Sequence, residues 1–423
     1  MAPVAPFSYR TGPMTDPIVI TGAGVCCNMG DDLDQIEADL RAGRNRTFDY
    51  WEEVAEVGAA CKIIGKYPNA LDDEAIGATR AQGRFLGRAA RLALKASRAA
   101  LQRSGADPRG LAVVFGSGTG DVATHVEVAS KLATSGARRV PTTVIPKLMS
   151  STVSANLVNV LGSTGPSFSA AAACAGGAYN ILLAAELVRA GHVDAALAGG
   201  SEVGDVHFHV GFDSMRAYNR EDDQTSLRAS RPYAADRAGF VFGEGAGAVV
   251  LERRSVAEAR GAPILGVLHG WGMSSNGDGE MVAPASNGAR DAMRSALRHA
   301  NLDPERVGYV NTHGTSTPLG DAVEVRAIRD ALGGRHVPYG STKAFTGHTI
   351  SAAGAIEAIF TMDMLRGGWL APSINADPLD PELRDYPPIL VPQVGDFEFA
   401  LSNSFGFGGT NVTLVLGRPD TAG

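Results

Sequence analysis

The chain has 423 residues, 44% apolar and 20% charged, with a formal net charge of −7. This is the balance of a globular protein able to bury a sizeable core. It runs against a general nucleic-acid or anionic-membrane surface, while leaving room for a local basic patch toward an acidic partner. Four cysteines are too few for a disulfide framework, no apolar run reaches transmembrane length, and the N-terminus lacks a basic start with an apolar core. A cytoplasmic protein with reduced thiols is expected.

Residues 1–17 are Pro-rich and polar and read as a loose tail. The runs PIVITGAG, LAVVFGSG, VDAALAGG and GAVVLE then read as buried strands. GAGVCC lacks the third glycine and the acidic residue of a dinucleotide-binding turn, which sets that reading aside. In SAAAACAGGAYN, a strand SFSAAAA runs into Cys174, three small residues and an apolar helix over 178–191. That is the shape of a nucleophile elbow, with the helix end favouring thiolate over thiol. HFHVGF sets His207 and His209 on one face of a predicted strand, a spacing met in metal sites. No third ligand of matching pattern follows, so the pair reads as structural.

The same order recurs after residue 260: the strand PILGVLHGWGMSS, the helix NGARDAMRSALRHANL, the strand VGYVNTHG, then PYGSTKAFTGH, the helix AAGAIEAIFTMDML and two closing strands. Two copies of one α/β unit are expected, 18–255 and 256–423, sharing one packed body. The second copy places His313 at a strand end, ahead of a helix carrying Asp321 and Glu324. It places Lys343 five residues before His348 at another strand-to-helix junction, and a glycine-aromatic loop, SNSFGFGGTN, near the end. A cysteine, two histidines and a glycine loop, all at element ends, are not expected together by accident.

These stretches resemble the β-ketoacyl-acyl carrier protein synthases, the condensing enzymes of fatty acid and type II polyketide synthesis, from VITGAG to TLVLG. The resemblance implies the thiolase-like α/β fold, five layers αβαβα made by duplication. It also implies a Cys-His-His triad of Cys174, His313 (HGTSTP) and His348 (TKxxTGH), supported by Lys343 and Glu324. Thr315 and Thr317 match the threonines that hold a phosphopantetheine arm, and Phe405 and Phe407 match the gating loop. The amides of Cys174 and Phe407 would form the oxyanion hole. Thr119 and Val144 fall where the family narrows its acyl tunnel. EMVAPASNG and LAPSIN are nearer to the type I synthases than to type II.

The implied reaction is decarboxylative condensation of a Cys174-bound acyl group with a malonyl unit, without metal or organic cofactor. The implied partners are an acyl carrier protein and a second subunit, either another copy or a chain-length-factor-like chain; nucleic acid and membrane are not among them. A thiolase would need a cysteine after Cys174, and there is none. A starter-condensing synthase would carry Asn for the second histidine, and a non-catalytic chain-length factor would lack the nucleophile. Two positions depart from the family pattern: Gly176 stands where serine is usual, and Ser351 where glycine is usual.

Overall fold

Ten strands and six long helices frame the site in the computed structural model, which describes residues 16–46, 48–220, 227–282 and 286–421. Most of the predicted tail, 1–17, lies outside the described residues, as does part of EMVAPASNG. The strands are β1 (Ile18–Cys26), β2 (Ala112–Ser117), β3 (Ser167–Phe168), β4 (Ala195–Glu202), β5 (Gly245–Arg253), β6 (Gly266–Ser275), β7 (Val307–Asn311), β8 (Tyr339–Gly340), β9 (Phe399–Gly406) and β10 (Thr410–Gly417). The helices are α1 (Arg88–Ser104), α2 (Thr152–Leu161), α3 (Gly176–Arg189), α4 (Ser286–His299), α5 (Gly320–Ala331) and α6 (Ala353–Gly367).

The sheet runs β8-β7-β9-β10-β6-β1-β5-β4-β2-β3. Read outward from its centre, the order β1-β5-β4-β2-β3 is answered by β6-β10-β9-β7-β8. Parallel and antiparallel pairings match one for one in the two halves. The halves join where Ile18–Ile20 pair with Gly266–Leu268. Helices follow the same repeat: α1 and α2 cover the outer face of the first half, α4 that of the second with α5 packed on it, and α3 and α6 pack on each other between the two halves of the sheet. The result is the thiolase-like duplicated α/β architecture.

The strands bury both faces, as continuous apolar runs require: every residue of β1 and β2, and all but one of β5, is buried. The central layer is drier still. Residues Ala353–Leu365 of α6 are all buried, Glu357 and Asp363 included. Helices α3 and α6 approach backbone to backbone. A Cβ on Gly354 would come within 2.9 Å of the Ala178 amide, and one on Gly177 within 3.0 Å of the Ala355 amide, so close crossing explains glycine at these two positions. Through the duplication, the start of α3 and the start of α6 become neighbours. Cys174 precedes one of them and His348 the other.

Candidate active site

The segment SFSAAAA is a strand only at Ser167 and Phe168; the chain then turns at residues 172–175. The amides of Ala175 and Gly176 bond to the carbonyls of Ala172 and Ala173 at 2.9 and 3.1 Å. Ala173 takes φ +45°, a left-handed conformation costing an alanine about 1–2 kcal/mol. Tertiary bonds hold it: the Asn180 side chain accepts the Ala170 amide at 3.1 Å and donates to the Gly199 carbonyl at 3.0 Å. The turn leaves Cys174 one residue before Ala175, the N-cap of α3.

From the other half, His313 lies two residues beyond β7, and His348 follows the short helix Lys343–Thr346. Cys174 Sγ and one ring nitrogen of each histidine all lie within 4.8 Å of one another. The two rings are perpendicular at 5.2 Å between centroids, with Phe405 against His313 and Phe240 against His348. Both Nδ1 atoms are buried without a hydrogen-bond partner. A proton there would be an orphaned donor, so the favoured tautomer carries it on Nε2. Burial, aided by the nearby Lys343 charge, holds both imidazoles well below the ordinary histidine range. At neutral pH they are uncharged N–H dipoles. Metal-binding histidines usually have their second nitrogen held by a carboxylate or carbonyl, a support that neither ring has.

Glu324, on α5, accepts the backbone amides of His313 and Gly314, each at 2.8 Å, and the Asn403 side chain at 3.0 Å. It fixes the His313 loop through the backbone, not the ring. Burial pushes its carboxyl up to about 7 against those three bonds. Lys343 is buried and ion-paired with the equally buried Glu357 of α6. Its charge reaches Cys174, His313 and His348 only through space. Both supports therefore stand one step further from the imidazoles than the sequence reading has them. Glu357 and Asn403 escape that reading, although a carboxylate inside an otherwise apolar helix is itself a sign of a buried partner.

A cavity of about 430 Å³ opens onto Cys174, His313 and His348, and Thr315, Thr317, Phe405 and Phe407 line it. The Thr315 and Thr317 hydroxyls are 3.2 Å apart. Its rim carries exposed Met215, Met281, Val282 and Leu319. The amides of Phe407 and of Cys174 itself both bond toward the sulfur and favour the thiolate. Desolvation is the larger influence, however, and pushes the Cys174 thiol up to about 12, with Lys343 the main opposing charge. The resting site holds a neutral thiol between two neutral imidazoles.

Neither Thr119 nor Val144 lines this cavity. Thr119 donates to Glu202 at 2.9 Å, a buried carboxylate that also accepts the Ser117 hydroxyl and the Gly118 amide. Val144 opens the short helix Val144–Leu148 and is buried. His207 and His209 lie on a helix, Val206–Ser214, not a strand, because the Asp205 side chain accepts the His207 and Phe208 amides and caps it. His209 is buried, bonded to the Cys61 carbonyl at 2.9 Å and stacked on Tyr218, while His207 faces solvent. Cys26, Cys27 and Cys61 are free, buried and absent from the cavity wall.

Comparison with known proteins decides what this geometry belongs to. The profile of the β-ketoacyl synthase N-terminal domain matches residues 15–257, and that of the C-terminal domain matches residues 265–377. The chain belongs to the β-ketoacyl synthase family. It is 36% identical to 3-oxoacyl-[acyl-carrier-protein] synthase 1 of Haemophilus influenzae, over 95% of this chain and 98% of that one. A β-ketoacyl synthase from Burkholderia phymatum superposes with a TM-score of 0.89 at 32% identity, covering 96% of this chain and 100% of that one. The ishigamide ketosynthase/chain length factor superposes at 0.86 with 27% identity, covering 95% and 99%. As a β-ketoacyl synthase the chain is an acyltransferase. Among the described residues, no helix is long and apolar enough to cross a membrane.

Proposed function

We propose that this synthase loads an acyl group from an acyl carrier protein onto Cys174 and condenses it with a malonyl unit carried the same way. The observation that carries the reading is the meeting of Cys174, His313 and His348 within 4.8 Å at the end of an apolar cavity. A thiol pushed up to about 12 by burial does not ionise in advance. It attacks the carrier's thioester, the new S–acyl bond forming as the carrier's C–S bond breaks and the thiol proton leaving with the pantetheine sulfur, while the Cys174 and Phe407 amides take the charge on the acyl oxygen. Loss of CO₂ from the malonyl group then leaves an enolate. Two uncharged Nε2–H groups stabilise its oxygen without the penalty of burying a second cation beside Lys343. The carbanion attacks the Cys174 thioester, a C–C bond forms, and the sulfur leaves.

Thr315 and Thr317, at the cavity mouth, fit the amides of a phosphopantetheine arm, and no further cofactor enters the scheme. The chain divides in this reading at 255/256, the first half bringing the nucleophile and the second the histidines. A homodimer is the favoured assembly, because this chain holds a complete triad; pairing with a chain-length-factor-like subunit is the alternative. Intact-mass measurement after incubation with acyl-carrier protein tests the nucleophile. One added acyl group is expected, lost in Cys174→Ala and kept when Cys26, Cys27 or Cys61 is replaced. An adduct persisting in Cys174→Ala overturns it.

A further inference from the structure

The two departures from the family pattern, Gly176 and Ser351, meet in space. A Cβ placed on Gly176 would lie 2.4 Å from Ser351 Oγ and 3.4 Å from Ser351 Cβ, with nothing else so near. The space belonging to a side chain at 176 is filled by the side chain of 351. The surroundings of Ser351 make this more than local packing. Its carbonyl would be 2.7 Å from a Cβ on Gly177 and 2.3 Å from one on Gly200. Its amide bonds to the buried Glu202, which also holds Ser117, Gly118 and Thr119. Ser351 is the middle residue of the turn Ile350–Ala352, between His348 and α6, and the residue before it takes φ +44°. Gly176 is the first residue of α3, two after Cys174.

We propose that Ser351 and Gly176 form one interlocking pair, a positioning device in which the Ser351 hydroxymethyl group sets the spacing between the His348 turn and the Cys174 elbow. The hydroxyl has no hydrogen-bond partner and is buried, so its contribution is volume, not bonding. Serine moved from one side of the contact to the other leaves the same number of atoms in the same gap. A glycine at 176 alone would leave the elbow loose; a serine at both positions would put two side chains in one place. The pair thus explains why the departures occur together and why neither disturbs the triad. This rests on the reading of Cys174 as the nucleophile, but its test does not require condensation.

The test is a double-mutant cycle read by the rate at which iodoacetamide alkylates Cys174, followed by intact mass across pH 6–9, together with Tm. Ser351→Gly is expected to change the alkylation rate on the order of tenfold with a small change in Tm. Ser351→Ala, which keeps Cβ, is expected to stay within about threefold of wild type. Gly176→Ser alone is expected to lower both Tm and soluble yield. The exchange Gly176→Ser/Ser351→Gly is expected to recover Tm and bring the alkylation profile within about threefold of wild type. Additive effects in the cycle, or a Gly176→Ser variant indistinguishable from wild type, overturn the proposal. Should Gly176→Ser fail to fold, the exchange variant still decides it: failure of both means that the obstacle is not Ser351. Alkylation at a cysteine other than Cys174 would instead count against the nucleophile, leaving the packing of 176 on 351 to be judged by Tm alone.

Discussion

Lys343 and Glu357 meet where neither has water, each about as buried as any side chain in the protein. Burial pushes the Glu357 carboxyl up to about 7, and only the Lys343 charge and bond oppose it. Such a pair adds little net stability, but removing one member strands the other. Glu357→Leu is therefore expected to destabilise the fold by about 3–5 kcal/mol, measured by urea unfolding; a loss below about 1 kcal/mol would mean that Lys343 has found another counter-ion. The histidines call for a different measurement. His313→Ala and His348→Ala each remove one uncharged donor, and with it enolate stabilisation on the order of 10²–10³-fold. Both variants are expected to lose malonyl decarboxylation by that factor while still accepting an acyl group on Cys174. Wild-type decarboxylation in either variant would remove that histidine from the scheme.

Elements were legible in the sequence where hydrophobic period and glycine turns agreed: β1, β2, β4, β5 and the central helices stand where their apolar runs put them. The elbow and HFHVGF show what the period misses. An alanine run carries the same apolar pattern in a strand and in a turn, and tertiary bonds, those of Asn180 among them, select the turn. In HFHVGF the capping Asp205 decides for helix over alternation. The meeting of Cys174, His313 and His348 was legible because three residue types sat at element ends, and Glu357 and Glu202 were not, because a buried carboxylate is defined by partners far off in sequence. One such long-range contact carries a pH dependence. His269, on β6, bonds Thr421 at 2.7 Å beside Phe399 of β9. Burial, with Arg254 and Arg306 adding repulsion, lowers its pKa to about 4. The unfolded chain binds this proton from about pH 6.5, so folding stability is lost as pH falls from 6.5 toward 4, by about 2 kcal/mol at pH 5. His269→Gln keeps a hydrogen-bonding group and cannot titrate. Its Tm is expected to drop less than that of wild type between pH 7.5 and pH 5, and parallel drops would refute the assignment.

At the scale of the whole molecule, the ten-stranded sheet ends at β3, whose two residues, Ser167 and Phe168, are both exposed. An open strand edge bearing a phenylalanine is a template for pairing with another chain unless something covers it. The elements around it continue the apolar surface: α2 packs on β3, the helix Val144–Leu148 packs on α2, and the helix Val122–Ser135 packs on that. They expose Ile145 and Leu132. A second subunit laid along this edge would bury all three side chains and bring its own Val144–Leu148 helix close to the first chain's α2. The expectation that Val144 limits acyl length depends on that arrangement, since within one chain Val144 is buried away from the cavity. Phe168→Lys, at an exposed position where the backbone pairing with Val114 is kept, is expected to leave the fold intact by circular dichroism while shifting sedimentation from dimer to monomer. Acyl loading of short chains on Cys174 is expected to survive in the monomer, because Cys174, His313 and His348 meet within one chain. Loading of long chains is expected to fall, because the far end of the tunnel would open to water, at a cost of roughly 0.8 kcal/mol for each methylene left exposed. A Phe168→Lys protein that still sediments as a dimer would place the interface elsewhere, and a true monomer with an unchanged length profile would mean that the tunnel closes within a single chain.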